Sequence, residues 1–122
     1  MEFMASQAIY LQIADQICER ILSGKWKEGE RIPSVREMGE SIQVNPNTVM
    51  RSFAYLQEQG IIYNQRGIGY FVAEGAQRRT LQLKKNSFVA RELPQVFRTM
   101  DLLHISCEEL RQLYERRKKQ AV

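Results

Sequence analysis

Apolar side chains recur with the period of an α-helix at the start of the chain. Four isoleucines lie four residues apart between Ile9 and Ile21, and Tyr10 lies beside this stripe. The spacing predicts a first amphipathic helix with one buried face, ending at Gly24. The next segment, KWKEGERIP, contains a glycine and a proline, which indicates a loop with at most one short extended pair.

Two further helices, joined by a polar turn, are predicted from capping signals. Ser34 and Glu37 have capping-box spacing, in which each side chain satisfies the other residue's free N–H. Asn45 can cap the third helix, Pro46 can occupy its first position, and Gly60 can end it. The polar side chains expected around the start of this helix are Asn45, Asn47, Thr48 and Ser52. Its inner face is expected to carry Val49, Phe53 and Leu56.

A hairpin follows this helix-turn-helix. Two β-prone runs, Ile61–Tyr63 and Tyr70–Val72, flank a glycine-containing turn with Arg66 near its tip. A hairpin in this position is a wing. The predicted fold is therefore mainly α with a small β-hairpin, with a winged helix-turn-helix DNA-binding domain over residues 1–74.

The composition changes beyond Gly75 to basic helical segments with apolar stripes. Pro94 predicts a helix break or start, and Ser106 and Glu109 repeat the capping-box spacing. About 48 residues cannot close a core alone, so residues 75–122 are predicted to be a helical dimerisation segment paired with a second copy. The residues expected at this interface are Phe88, Leu93, Val96, Phe97, Met100, Leu110, Leu113 and Tyr114.

Length and composition limit the classes of function. The chain has 122 residues, of which 43% are hydrophobic and 26% charged, so one globular domain with an appendage is expected. A further catalytic or effector domain of ordinary size does not fit this length. No apolar run approaches the roughly 18 residues that cross a bilayer, and the first residues lack a signal-peptide pattern. We therefore expect a cytoplasmic protein that does not contact the membrane.

Charge is unevenly distributed. Residues 1–73 carry seven Lys or Arg against eight Asp or Glu, a net charge of −1. Residues 74–122 carry eleven against six, a net charge of +5. DNA binding by the first half would therefore depend on a few arginines converging on one face.

Candidate groups for catalysis or metal binding are sparse. Cys18 and Cys107 lack metal-site spacing and are predicted to pack as small hydrophobic residues. His104 has no partners for a metal site or a triad and is expected at a helix end or on the surface. Paired carboxylates, a nucleophile with a base and a phosphate-binding loop are also missing from the sequence. We expect no enzyme activity, no cofactor and no metal site.

Four motifs occur in order along the first 72 residues: G.W..GERIPSVREM, VNPNTV, L...G and RG.G.FV. Together they resemble the winged-helix DNA-binding domain of the GntR family of bacterial transcription regulators, almost continuously from Ala8 to Val72. The tail, ending in LLHISCEELRQLYE, is similar to the short helical segment of the YtrA subfamily, which serves mainly in dimerisation. The resemblance implies a regulator, expected to be a repressor, that binds a pseudo-palindromic operator in double-stranded DNA as a homodimer.

The resemblance also implies which residues contact DNA. In the family an arginine of the second helix reaches the DNA, and Arg36 has that position; its planar guanidinium can pair with guanine or brace a phosphate. The third helix would enter the major groove, and the wing tip would approach the minor groove. Some relatives carry arginines at the positions of Pro46 and Met50, so their operator sequence does not transfer. The implied DNA-binding residues are Ser34, Arg36, Asn45, Asn47, Thr48, Arg51, Arg66 and Gly67.

Structural alternatives stay open for these residues. Arg36 can pair with Glu40 one turn later, Arg51 can be a solvated helix residue, and Arg66 can belong to an ordinary turn. The basic run Arg116–Lys119 is either a further phosphate contact or a solvated helix end. A winged-helix module that binds a protein instead of DNA fits the slightly acidic first half. A small-molecule effector bound between paired tails is also an open alternative.

Overall fold

Helices dominate the structure, a computed structural model that describes residues 7–120 apart from the side chain of Gln120. The elements in chain order are α1 Ile9–Leu22, α2 Val35–Ile42, α3 Pro46–Glu58, β1 Ile62–Gln65, β2 Gly69–Val72, α4 Ala76–Ser87, a π-helical segment Phe88–Glu92, α5 Leu93–Leu103 and α6 Cys107–Gln120. They form two compact units that divide between Leu83 and Lys84. The predicted fold class, mainly α with one small hairpin, is confirmed.

The core of the first unit lies between α1 and α3. The four-residue spacing on α1 buries three of its isoleucines, whereas Ile9 in the first turn is 46% exposed, so the buried stripe begins one turn later than predicted. The predicted inner face of α3 has no exposed surface. Burying a side chain of this size stabilises a fold by about 1.5–3 kcal/mol. The side chains that meet in this core are Ile13, Ile17, Ile21, Val49, Phe53 and Leu56.

The capping box at the start of α2 is present. Ser34 Oγ accepts a hydrogen bond from the Glu37 N–H at 3.0 Å, and Glu37 Oε1 accepts one from the Ser34 N–H at 3.0 Å. At its other end α2 is closed by Gln43, which has a left-handed backbone with φ of 57°. The Val44 N–H then donates to the Gly39 carbonyl at 2.9 Å, and the chain turns into α3.

The wing is an antiparallel hairpin with a third short contact. Its register pairs Ile62 with Val72 and Gln65 with Gly69, so both strands extend further toward the tip than predicted. The predicted extended pair before α2 is confirmed, because Arg31 forms an isolated bridge with Phe71. This bridge joins the loop after α1 to β2, which therefore has a partner on both sides.

The carboxylate of Glu28 holds the start of α4 on the first unit. It accepts a hydrogen bond from the Gly75 N–H at 2.7 Å and a longer one from the Gln77 N–H at 3.3 Å. Both donors lie at the helix N-terminus, where backbone N–H groups have no partner within the helix. A carboxylate from the loop after α1 therefore supplies the partner that the helix lacks.

Arg79 strengthens the attachment of α4. Its Nη1 donates to the carbonyl of Gly60 at 3.0 Å and to that of Glu74 at 2.8 Å. Thr80, the next residue of α4, has no exposed surface. The first two turns of α4 thus pack with the winged helix, and the domain boundary at residues 74 and 75 stays a prediction from the sequence.

The second unit contains α5 and α6. Pro94 lies in the first turn of α5, where the sequence predicted a new start, and His104 ends that helix with a φ of 58°. Ser106 Oγ then accepts a hydrogen bond from the Glu109 N–H at 3.1 Å at the start of α6. Cys107 is exposed, so the prediction that it packs as a small hydrophobic residue is wrong in this chain, whereas Cys18 is buried as predicted. The first turn of α6 places Cys107 on its outer side.

Six of the eight predicted dimerisation residues are exposed on the second unit. Met100 is buried within the unit and Leu93 is half-buried. The other six, with exposed fractions from 39% to 54%, are Phe88, Val96, Phe97, Leu110, Leu113 and Tyr114. Between α5 and α6 runs a groove of about 490 Å³, with Val96, Leu110 and Leu113 among its lining residues. Within residues 7–120, none of the helices is both long enough and apolar enough to pass through a bilayer.

Replacing Glu28 by Gln is expected to make the free energy of unfolding less sensitive to acid. The Gly75 N–H, and after it the Gln77 N–H, holds the pKa of Glu28 below its ordinary value of 4.5. A carboxyl group with a lowered folded-state pKa stabilises the fold above its unfolded pKa and loses that contribution as the pH falls through the folded value. Wild type should therefore lose more stability than Glu28→Gln between neutral pH and the range below 4.5.

Urea unfolding at a series of pH values measures this difference. Glu30→Gln is the matched control, because Glu30 is an exposed carboxylate of the same loop whose side chain accepts no hydrogen bond from the described residues. Equal acid sensitivity in Glu28→Gln and wild type would contradict the proposed role of the cap.

Candidate nucleic-acid interface

The start of α3 is exposed and is capped by its own residues. Asn45 Oδ1 accepts a hydrogen bond from the Asn47 N–H at 2.8 Å, and Pro46 occupies the first turn, as predicted. The cap uses the side-chain oxygen of Asn45 and leaves its amide N–H₂ for an outside partner. Thr48 and Val49 donate their N–H groups to the Asn45 carbonyl at 3.0 and 3.2 Å. Pro46 has no N–H, so this end of α3 offers a phosphate the positive end of the helix dipole.

The outer face of α3 carries the predicted polar contacts. Asn47 and Arg51 are exposed and lie four residues apart, so they project from the same side of the helix. Thr48 is half-buried beside them. The opposite side of the helix is the buried apolar face, and the packing of α3 therefore directs these three side chains outward.

Ser52 does not belong to this outer group. It has no exposed surface, and its Oγ donates to the carbonyl of Tyr10 on α1 at 2.6 Å. Sequence reasoning placed it with the polar residues around the helix start, although its spacing gave a contrary signal. Ser52 follows Val49 by three residues and precedes Leu56 by four, which places it on the inner face. Its hydroxyl joins α1 to α3.

Arg51 stacks on an aromatic ring of α1. Its guanidinium carbon lies 4.2 Å from the ring centroid of Tyr10. The same ring meets Tyr55 edge-on, with centroids 6.4 Å apart. Tyr10 was predicted only as a packing residue, and its contact with Arg51 was not predicted. The contact spans separate helices, so no local sequence pattern reveals it.

Arg36 projects from α2 into solvent. It lines a shallow depression of about 240 Å³ at the helix-turn-helix elbow, together with Gln43 and Pro46. The alternative ion pair with Glu40 does not form among the described residues. The guanidinium is therefore available to an outside partner, next to the turn that leads into α3.

The tip of the wing is open. Arg66 is exposed, and Gly67 has a φ of +80°, in the left-handed region that favours glycine. No heavy atom lies within 4 Å of the position that a Cβ at residue 67 would take. An outside molecule can therefore approach the backbone of the tip closely.

Strand β2 of the wing packs on α3. Tyr70 meets Phe53 edge-on with ring centroids 4.8 Å apart, and its hydroxyl lies 3.9 Å from the Sδ of Met50 on the exposed side of α3. These contacts place β2 beside the outer face of α3. The wing and the start of α3 thus belong to one continuous packed unit.

Arg31 is a cation that sequence reasoning missed. Its Nε would lie 2.9 Å from a Cβ at Gly69, so its side chain covers the glycine that begins β2 beside the turn of the wing. The pKa of Glu37 is lowered first by the Ser34 N–H, then by the Ser34 hydroxyl, and also by the charge of Arg31. Arg31 therefore lies between the wing and the start of α2. The short extended pair predicted in this loop was the only sequence signal at this position, and it did not indicate the contact of Arg31 with the wing.

Metal chemistry has no candidate site in the part of the chain that the structure describes. His, Cys, Asp and Glu side chains do not gather there in groups of three. The geometry instead combines exposed cations, the positive end of a helix dipole and a projecting hairpin, which are features that bind nucleic acid.

Comparison with known proteins identifies relatives of this chain. Residues 9–72 match the family described as bacterial regulatory proteins, gntR family. The HTH-type transcriptional repressor YtrA of Bacillus subtilis is 38% identical over 111 residues, which are 91% of this chain and 82% of YtrA. The uncharacterised HTH-type transcriptional regulator YhcF of the same organism is 45% identical over 76 residues, 62% of this chain and 63% of YhcF. The matched part of this chain thus spans less than two thirds of YhcF.

Solved structures show the same fold. A structure from Bacteroides thetaiotaomicron assigned to the GntR family of transcriptional regulators has a TM-score of 0.79 and 48% identity, and the match covers 94% of this chain and 100% of that one. The DNA-binding domain of AraR in complex with operator ORR3 has a TM-score of 0.54 and 32% identity, over 60% of this chain and 86% of that one. These relatives are transcription regulators and not enzymes.

Replacing Asn45 is expected to separate its capping role from a role in binding. Asn45→Ala should lower the free energy of unfolding by about 1 kcal/mol, because the Asn47 N–H loses its acceptor. Asn45→Asp should keep this stability, since Asp caps as well as Asn and its charge suits the helix N-terminus. If the start of α3 faces phosphates, Asn45→Asp should nevertheless weaken DNA binding.

Urea unfolding and fluorescence anisotropy with a DNA duplex measure the two effects, and Asn45→Ser serves as a control that retains a cap without a charge. Unchanged DNA affinity in the folded Asn45→Asp variant would show that this turn does not face the DNA.

Proposed function

The chain belongs to the GntR family of bacterial transcription regulators, and we propose that it is a repressor that binds a pseudo-palindromic DNA operator as a homodimer. The observation that carries the proposal is the exposed N-terminus of α3, with its polar face directed outward by the buried face behind it. The name of YtrA, a transcriptional repressor similar to this chain along most of its length, supports the repressor role. Such a regulator acts in the cytoplasm, where bacterial DNA lies.

Different residues of the first unit contact different parts of the DNA in this proposal. Arg36 presents a planar fork to guanine or to a phosphate, and Asn47 and Thr48 reach base edges or the adjacent backbone from the major groove. Arg66 approaches the minor groove, where negative potential attracts arginine, and Gly67 lets the backbone come close. Ser34 and Asn45 cap the helices and supply further contacts, and Arg51 contacts a phosphate. The solved complex of the AraR DNA-binding domain with operator ORR3 supports DNA binding by this unit.

The second unit supplies the homodimer contact in this proposal. Nine large apolar side chains of its described residues, including the six predicted ones named above, are exposed in the single chain, an arrangement that costs free energy in water. A second copy can cover them by a two-fold symmetric contact. Residues 75–122 then serve as the dimerisation segment, and residues 1–74 of the two copies meet half-sites about one helical turn apart.

A protein-binding module without DNA binding is the second candidate function. The net charge of −1 over residues 1–73 favours it, because most DNA-binding surfaces are strongly positive. The two functions differ in the effect of removing exposed arginines. A DNA reader loses affinity for DNA, whereas a protein-binding module has no such affinity to lose.

Selection of binding sites from fragmented genomic DNA tests the proposal. At about 150 mM salt, where non-specific phosphate binding is weak, the purified protein should enrich a two-fold symmetric sequence. Arg36→Ala should lower the affinity for that sequence about tenfold or more, because an arginine contact to a base or phosphate is lost. Arg78→Ala is the control, since it removes an equal and equally exposed charge from α4. Equal affinities of Arg36→Ala and wild type, or no enrichment of any sequence, would argue against this function.

Replacing Leu113 by Asp is expected to convert the dimer into a monomer. Leu113 is 44% exposed in the groove between α5 and α6, and a charge there would be desolvated without a partner when two copies meet. Leu81→Asp is the matched control, because Leu81 is 55% exposed on α4 outside the predicted interface. Light scattering at micromolar concentration measures the mass. A monomeric wild type, or a dimer that persists in Leu113→Asp, would disprove this contact.

A further inference from the structure

We propose that Tyr10 is a positioning residue that holds the guanidinium of Arg51 for a DNA phosphate, so that the first turn of α1 belongs to the DNA-binding surface. The proposal rests on the proposed function, because it requires α3 to bind DNA. It adds α1 to the DNA-binding surface, and α1 belongs neither to the helix-turn-helix nor to the wing. It also gives a role to a tyrosine that the sequence indicated only as a packing residue.

The contact itself is direct. The Arg51 guanidinium carbon lies 4.2 Å from the centroid of the Tyr10 ring, well inside the distance of about 6 Å at which a cation is attracted to an aromatic face. Arg51 is otherwise an exposed side chain with several rotatable bonds. Stacking on the ring limits the directions in which the guanidinium can point. Less conformational entropy is then lost when the side chain meets a phosphate.

Tyr10 is itself fixed by α3. Its carbonyl accepts the hydrogen bond from the buried Ser52 hydroxyl at 2.6 Å. Its ring is held edge-on by Tyr55, with centroids 6.4 Å apart. Arg51, Ser52 and Tyr55 of one helix therefore contact the same tyrosine, through its ring face, its backbone and its ring edge. This arrangement makes the ring a rigid support for Arg51.

The position of Arg51 on α3 suits a contact with the DNA backbone. It follows Asn47 by four residues and Thr48 by three, so it lies one turn behind the proposed base contacts on the same side of the helix. Phosphates flank the major groove beside a helix that enters it N-terminus first. Among the described residues, Arg51 forms no ion pair with a carboxylate, and stacking on an aromatic ring leaves its charge available to a phosphate.

A second pair on α1 provides an internal comparison. The Arg20 guanidinium carbon lies 5.0 Å from the ring of Trp26. This pair has the same chemistry but lies ten residues along α1, about 15 Å from Tyr10 at the rise of an α-helix. Arg20→Ala therefore removes an equal charge and an equal kind of contact without touching α3.

A double-mutant cycle on the full chain tests the proposal. The probe is a random-sequence DNA duplex at low salt, because a phosphate contact does not depend on base sequence. Arg51→Ala should lower the affinity and reduce the slope of log affinity against log salt by about 0.9 for each lost phosphate contact. Tyr10→Leu should lower the affinity about two- to fivefold, the amount expected from an exposed cation–π contact. Tyr10→Phe retains an aromatic face and should bind like wild type.

The cycle separates positioning from a structural role. If Tyr10 acts through Arg51, Tyr10→Leu should cause no further loss in the Arg51→Ala background. An equal loss in both backgrounds would mean that Tyr10 only stabilises the fold, and thermal unfolding of each variant provides the parallel measure of that role. A normal affinity in Tyr10→Leu would also overturn the proposal.

The same measurements distinguish this proposal from the proposed function. If Arg51→Ala and the Arg20→Ala control bind alike while Arg36→Ala loses affinity, the chain binds DNA but the role of Tyr10 and Arg51 is wrong. If the wild-type chain fails to bind DNA at any salt concentration, both proposals fall.

Discussion

The burial of one face of α3 against α1 is the contact on which the rest of the structure depends. Val49, Phe53 and Leu56 are removed from water on this face, and each would lose about 1.5–3 kcal/mol if the helix turned them outward. The rotation of α3 about its axis is therefore fixed by apolar packing. The outward direction of Asn47 and Arg51 follows from that packing and needs no polar contact of its own.

Features that depend on neighbouring residues were predictable from the sequence. The capping pair Ser34 and Glu37, and the start of α3 at Asn45 and Pro46, act over two or three residues, so their spacing alone identifies them. Contacts between distant residues were not predictable. The Ser52 hydroxyl reaches a carbonyl 42 residues away, and the Glu28 carboxylate reaches an N–H 47 residues away. Such contacts depend on how whole elements pack.

The second unit shows a different limit of sequence reasoning. The helical period of its apolar residues correctly indicated a stripe, but a stripe does not reveal whether its partner lies in the same chain. Met100 is covered by its own unit, whereas Phe97 and Leu113 remain exposed. The balance between these two outcomes depends on how α5 and α6 pack together. The period of the apolar residues identifies the buried face of a helix, but it does not identify the element that packs against that face.

The net negative charge of residues 1–73 opposes DNA binding less than its value suggests. Glu28 and Glu37 each accept hydrogen bonds from backbone N–H groups at a helix N-terminus, and these bonds lower the pKa of both carboxyls. The positive end of a helix dipole offsets part of such a charge locally. Because charges in physiological salt act over only about 8 Å, a phosphate responds to the side chains beside it and not to the domain total. The effective field at the start of α3 is therefore dominated by the arginines that lie there, and Arg51 is the one that the fold itself holds in place.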